Sequence, residues 1–248
     1  GVSGAITSTA WLGSLDTTPV GGYGQQFMSV GDVHLRESSN GSVKIKHMNG
    51  VLDAAIGYDS KLVVQAGTSA SLRAKLATYA KLDIGSHVEE ADIDVGYDAQ
   101  ASVSMVTGGK LLLKAGTYGK VNVSDGDVTQ LQARAGYDSK ITFGGSAHDA
   151  IIEAGTYGKV NVGEVCNQLK VEGGYDSAVA IRRGTIAQAQ VKLNAYGKLH
   201  TGATIRAGDI HAGYDAQVTA NEYGEGVRVM TETYGKVMRN RPRGPERS

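Results

Sequence analysis

Ala135-Gly136-Tyr137-Asp138-Ser139-Lys140-Ile141-Thr142-Phe143 returns nineteen residues later, with one rearrangement, as Ala154-Gly155-Thr156-Tyr157-Gly158-Lys159-Val160-Asn161-Val162. Worked outward in both directions, the same segment is written ten times. Its second position falls at Gly57, Ala77, Gly96, Gly116, Gly136, Gly155, Gly174, Asn194, Gly213 and Glu232, every step being 19 or 20 residues. A period this regular identifies an array of one small supersecondary unit.

The residues before each motif alternate. The third residue upstream is Ala54, Ala74, Ile93, Leu113, Ala133, Ile152, Val171, Val191, Ile210 and Val229, apolar in all ten copies. Mostly polar residues such as Asp92, Asp94, Arg134, Glu172 and Lys192 stand between the apolar ones. Period-2 alternation predicts a half-buried strand. A second short strand follows each motif, as in Leu62-Val63-Val64 and Val121-Asn122-Val123. No segment carries a sustained helical period. A unit with one apolar face and no helix buries that face only by stacking on copies of itself. The expected fold is therefore all-β: a single-stranded parallel β-helix, or β-solenoid, of about ten coils of 19–20 residues. At about 4.8 Å per coil the rod would be roughly 48 Å long.

A slower rhythm overlies the first. Tyr-Asp copies (Tyr58, Tyr97, Tyr137, Tyr175, Tyr214) alternate with Tyr-Gly or Tyr-Ala copies (Tyr79, Tyr118, Tyr157, Tyr196, Tyr234), giving a double repeat of about 39 residues. Strand parity puts the first class with the buried residues and the second one place outward, so the corner is expected to alternate between two side-chain packings. Two residues after the Asp, or one after the Gly or Ala, comes a basic row: Lys61, Lys81, Lys120, Lys140, Lys159, Lys198 and Lys236. Stacked like charges repel, and the Asp of every second coil is expected to offset them. These tyrosines and lysines are the candidate interface.

Composition narrows the class. Among 248 residues, 35 are Gly and only 3 Pro, about twice the usual glycine share of roughly 7%. Many tight turns between paired strands would use glycine in this way. The 25 basic and 25 acidic residues balance, so there is no global attraction to nucleic acid or acidic lipid. Cys166 is the single cysteine, which excludes an intrachain disulfide. No apolar run approaches the length of a membrane-spanning helix. Residues 1–39 are read as an N-terminal cap or arm, 40–238 as the solenoid, and 239–248 as a basic, proline-containing tail. Within this frame, Asn40-Gly41 and Tyr23-Gly24 mark degenerate coils.

Ala135-Gly136-Tyr137-Asp138-Ser139 resembles the Ala-Gly-Tyr-Gly-Ser core of bacterial ice-nucleation repeats. That resemblance implies a β-solenoid with a tyrosine at one corner. It covers a few residues per coil, and this chain has Lys140-Ile141-Thr142-Phe143 where that family carries Thr-x-Thr.

Catalytic patterns are missing from the sequence: no zinc spacing, no phosphate-binding Gly-Lys-Ser/Thr loop, no Gly-x-Ser-x-Gly elbow. Asp125-Gly126-Asp127 is a fragment of a calcium loop without the repeated calcium-solenoid pattern. No catalytic residue, cofactor or metal is expected. The expected function is that of a non-enzymatic rigid rod in a surface-exposed or secreted assembly, as an adhesin-like segment or a self-assembling subunit. Its partner would be protein, through self-association or a larger assembly, or a glycan. Nucleic acid would be reached only through the basic tail. A virion or phage component is the alternative within the structural class, and a carbohydrate-active β-helix enzyme is the alternative outside it.

Overall fold

The computed structural model describes residues 6–17, 24–36 and 39–240. These residues contain β-strands and turns and no helix. In chain order the strands are β1 (Ile6–Thr17), β2 (Gly24–Arg36), β3 (Ser42–Ile56), β4 (Lys61–Leu76), β5 (Lys81–Val88) and β6 (Ala91–Val95). They continue with β7 (Gln100–Ala115), β8 (Lys120–Ala135), β9 (Lys140–Ala154), β10 (Lys159–Gly173), β11 (Ala178–Ile186) and β12 (Gln188–Leu193). The last are β13 (Lys198–Thr201), β14 (Thr204–Ala212), β15 (Gln217–Ala220), β16 (Glu222–Thr231) and β17 (Lys236–Arg239).

Every pairing between these strands is parallel, and each joins one coil to the next. Leu62 lies opposite Leu82 and Val64 opposite Ile84, while Leu72 meets Ala91 and Ala74 meets Ile93. The molecule is thus a parallel β-solenoid of about 11 turns. Strands β1 and β2 join the stack by the same parallel pairing onto β3, so turns of the rod begin upstream of the first tyrosine motif. Tyr23 and the tail from residue 241 lie outside the described residues.

The strict alternation of the sequence becomes the burial pattern. Along β5 the residues run exposed, buried, exposed, buried without interruption. Nine of the ten apolar residues three places before the motif are at most 4% exposed, from Ala54 to Ile210. The residues that follow the motif form the other wall of the same core: Leu62, Val64, Val121, Val123, Ile141, Phe143, Val160 and their equivalents. Because each coil supplies an apolar side chain, mostly small or medium, at each place, the core is a set of columns along the rod. Phe143 is its largest fully buried member.

Each coil bends twice. One bend is the tyrosine motif. The other is looser, is marked by register shifts between neighbouring coils, and uses glycine where the backbone has positive φ. At Gly126 (φ 142°) a Cβ would collide with the carbonyl oxygen of Val106 in the coil before it. Only glycine permits both that conformation and that approach.

A column core makes a local prediction. Phe143→Ala should cost about 3–5 kcal/mol, because the neighbouring coils cannot close the cavity without breaking their ladder. Thr142→Ala, on the half-exposed outer face of the same strand, should shift stability by no more than about 0.5 kcal/mol. Denaturant unfolding followed by circular dichroism measures both, and equal effects would contradict the column description.

Candidate functional site

The tyrosine motif is a four-residue turn. The N–H of its last residue donates to the carbonyl of its first, as from Ser60 to Gly57 (3.2 Å) and from Gly158 to Gly155 (2.8 Å). The third residue always has positive φ. It is Asp59, Asp98, Asp138, Asp176 or Asp215 (47–50°) in one class, and Tyr79, Tyr118, Tyr157, Tyr196 or Tyr234 (57–60°) in the other. A left-handed third residue in a hydrogen-bonded turn is the mark of type II geometry. Such a turn sets its central peptide across the turn plane, here along the rod. That peptide's N–H donates to the next coil's turn, from Asp59 to the Thr78 carbonyl, from Tyr79 to that of Tyr97, and onward at 2.9–3.1 Å. The ladder therefore runs around the corner without a gap.

The fourth residue of the turn points into the rod and is always small. Ser60, Ala80, Ala99, Ser139, Ser177 and Ala216 are at most 2% exposed. The buried hydroxyls find backbone partners: Ser139 Oγ donates to the Gly136 carbonyl at 2.9 Å, and Ser60 Oγ accepts the Gly41 N–H at 3.0 Å. Asn40 (φ 54°) begins the same corner one coil earlier, without a ring.

All ten candidate tyrosines come together. Tyr58, Tyr79, Tyr97, Tyr118, Tyr137, Tyr157, Tyr175, Tyr196, Tyr214 and Tyr234 form one unbroken file with ring centroids 5.4–6.1 Å apart. Each ring is turned 75–87° from the next, so edge meets face throughout. This corrects the expectation drawn from strand parity. The Tyr-Asp class is not directed inward: Tyr97 is 46% exposed and Tyr118, of the other class, 37%. Parity fails because the chain leaves the strand at the turn. The left-handed third residue throws its side chain to the side already taken by the second, so both classes reach the same outer edge. The alternation survives as ring orientation.

The conformation has a cost. Asp tolerates the left-handed region because its short polar side chain can hydrogen-bond locally. For a bulky residue it is an outlier worth roughly 1–2 kcal/mol per residue. Edge-to-face contact returns about 0.5–1.5 kcal/mol per pair, toward the lower end where rings are half in water.

The candidate lysines form a second file beside the rings. Lys120 lies opposite Lys140 and Lys140 opposite Lys159, and all seven are exposed. Gln100, Ala178 and Gln217 interrupt the row. Among the described residues no corner aspartate forms a direct ion pair with one of these lysines. The ion pairs there lie elsewhere on the rod, for example Arg134–Glu153 (3.2 Å), Arg183–Glu164 (3.0 Å) and Arg228–Asp209 (2.7 Å). The Asp side chains open beside the rings instead. Tyr175, Asp176, Tyr196, Lys198, Asp215 and Gln217 line one shallow depression of about 260 Å³.

Two rings of the file are held neutral to higher pH than an ordinary phenol. The Tyr118 hydroxyl is pushed above the ordinary phenol value, first by partial loss of water and then by Tyr137, Tyr97 and Asp138. Tyr196 is raised for the same reasons, with Tyr214, Tyr175 and Asp215 as neighbours. Tyr223 stands apart from the file. Its hydroxyl donates to the Met238 carbonyl at 2.9 Å, and burial pushes it to about 12. Sequence reading passed over Tyr223 because it lies outside the motif.

Two other sequence features are accounted for locally. Asp125 accepts the N–H of Gly126 within its own turn at 2.8 Å. Cys166 is an exposed free thiol beside Ser146 and Glu164. Among the described residues no group of three or more His, Cys, Asp or Glu side chains is placed to hold a metal ion. No described helix is long and apolar enough to cross a membrane. No protein-family model, curated protein or solved structure matches the chain.

Two predictions follow from the corner. Asp138→Gly should be close to neutral, whereas Asp138→Val should lose about 1–2 kcal/mol, since a β-branched residue is strained at φ 47°; thermal melts of the two variants compare them. Second, the raised phenols contribute stability that is complete below pH about 10 and lost as pH climbs through their folded values. Ultraviolet titration of the folded chain should show a late tyrosinate component, above the ordinary phenol range, that Tyr118→Phe, Tyr196→Phe and Tyr223→Phe together remove. Persistence of that component in the triple variant would contradict the assignment.

Proposed function

We propose that this chain is a non-enzymatic structural rod of a surface-exposed or secreted assembly, and that the tyrosine file is its lateral contact face. One observation carries the reading. In five alternate coils a tyrosine occupies a left-handed position that glycine or asparagine would fill without strain. The hydrogen-bonded corner needs only the conformation, as Asn40 illustrates. The extra side chain completes a continuous aromatic edge, half exposed over ten successive coils. Backbone strain kept at a surface points to a role for the side chain held there.

The mechanism is multivalency. Each ring offers a weak apolar contact with a hydroxyl at its tip, and aromatic residues of this kind are enriched in protein interfaces. Repetition at fixed spacing turns weak contacts into a strong one, because each contact after the first is made at high effective concentration. The file of lysines beside the rings selects partners. It favours an acidic or hydroxyl-rich surface, so on a neighbouring rod it selects a side wall rather than that rod's own lysine file.

Replacing Tyr118, Tyr137, Tyr157 and Tyr175 together by Ser tests the reading. The core columns do not include these rings, so the variant should keep its β-sheet circular dichroism and melt cooperatively. Side-by-side association in negative-stain electron microscopy across a concentration series should be lost. Equal bundling by the variant and the parent chain would sink the proposal.

A further inference from the structure

The two walls of the rod differ in charge. The wall leading into the tyrosine motif carries ion pairs such as Arg134–Glu153 and Lys170–Glu172. The wall that follows the motif is nearly free of charge once past its lysine margin. Its outward residues flank the buried column that runs over eight coils from Val64 through Phe143 to Thr201. Along that stretch they hold one carboxylate, Asp83, and one guanidinium, Arg182. Most of the others are Ser, Thr, Asn or Gly. Covering this wall buries few charges, whereas covering the opposite one would bury many.

The wall is also uneven. One half holds a depression of about 470 Å³, floored by Gly144, Gly163 and Gly202 and bordered by Thr142, Asn161 and His200. At each of these glycines a Cβ would collide with a carbonyl oxygen of the coil before it, so the hollow is set by the backbone. In the other half the same column carries the exposed side chains of Gln65, Ser104 and Ser124.

Hollow and ridge match when a second copy lies antiparallel on the first. A two-fold axis across the rod, between the coils of Asn122 and Thr142, keeps each column on itself and reverses the order of coils. Ser124 then falls on Gly144, and Ser104 on Gly163. Gly85 receives Arg182, and Gly202 receives Gln65. Each contact sets a glycine against a side chain. The same operation puts Asp83 beside the other copy's Arg182, and symmetry repeats the pair. In the single chain Arg182 Nη2 reaches only the Gly144 carbonyl, at 3.5 Å, a weak bond to exchange for a carboxylate. A slip of one coil destroys the match, because Gly85 would then meet Gly163 or Gly202. At the lysine margin Lys81 comes opposite Ala178 and Lys159 opposite Gln100. The like pairs that remain, Lys61 with Lys198 and Lys120 with Lys140, stay in water. Eight coils give a wall about 38 Å long and about 15 Å wide, on the order of 600 Å² on each copy, which reaches the lower range of stable interfaces.

We infer that this weakly charged wall is an interface between two copies of the chain, antiparallel and isologous. Such a contact closes on itself as a pair. It leaves both tyrosine files free along one edge of the pair, so the ring contact and the wall contact are independent.

Sedimentation velocity over a concentration series tests it, with Tyr118, Tyr137, Tyr157 and Tyr175 replaced by Ser so that the rings do not contribute. That protein should form dimers as concentration rises and stop there. Ser124→Arg, which sets a long cation over the partner's Gly144, should weaken dimerisation at least tenfold while the melt stays cooperative. Asp83→Arg alone and Arg182→Asp alone should each remain monomeric. Their equimolar mixture should dimerise, because the two-fold axis sets each new charge against an opposite one. Three results would overturn the inference: monomers at every concentration, undiminished dimerisation of Ser124→Arg, or no dimer in the mixture. None of them bears on the ring contact, which is read from the larger bundles of the parent chain.

Discussion

Everything in this molecule depends on one requirement: the hydrogen-bond ladder between coils must not stop at the corner. A strand satisfies its neighbours automatically, but a turn ordinarily directs its peptides elsewhere, and buried backbone groups without partners are expensive. Here the third residue of each turn is left-handed, so the central peptide lies along the rod and bonds to the coil beyond. Regularity elsewhere follows from this. A ladder continuous around the corner locks the register of the strands on both sides. Locked register stacks like residues in columns, and columns of small and medium side chains make a core with few gaps.

The same requirement explains the composition of the edge. The corner fixes the backbone and leaves open the question of which side chain the left-handed residue carries. Asp answers at low strain. Tyr answers at higher strain and gains a ring on either side. Alternating the two staggers the rings, with edge against face, where a row of identical turns would place parallel rings at the coil spacing. The lysines are set by a different circumstance. They begin a strand, at a place where the outward parity is already established, and so they align as a file whether or not their charges are matched.

The architecture was legible in the sequence because it rests on two periods, 2 and about 19, both written in apolar residues such as Ile93, Leu113 and Ile152. The coils that precede the tyrosine motif were harder to see. Their register continues, but β2 carries neither the ring nor the Lys that made the later copies conspicuous. Parity failed at the corner for a definite reason. Counting residues predicts a side only while the chain stays extended, and one residue at φ near +50° reverses it. The location of the candidate face was thus readable from Tyr137 and Tyr157, while its side and the equal standing of its two classes required the dihedral angles.

The alternation of turn classes also constrains how such a rod can change in length over evolutionary time. Removing a single coil would bring two turns of one class together and set two like-oriented rings at the coil spacing. Removing two coils would leave the file of rings, the column core and the ladder as they were. Genes for rods of this kind should therefore grow and shrink in whole double units, by recombination between segments some 39 codons apart, so that copy number varies while the edge keeps its pattern.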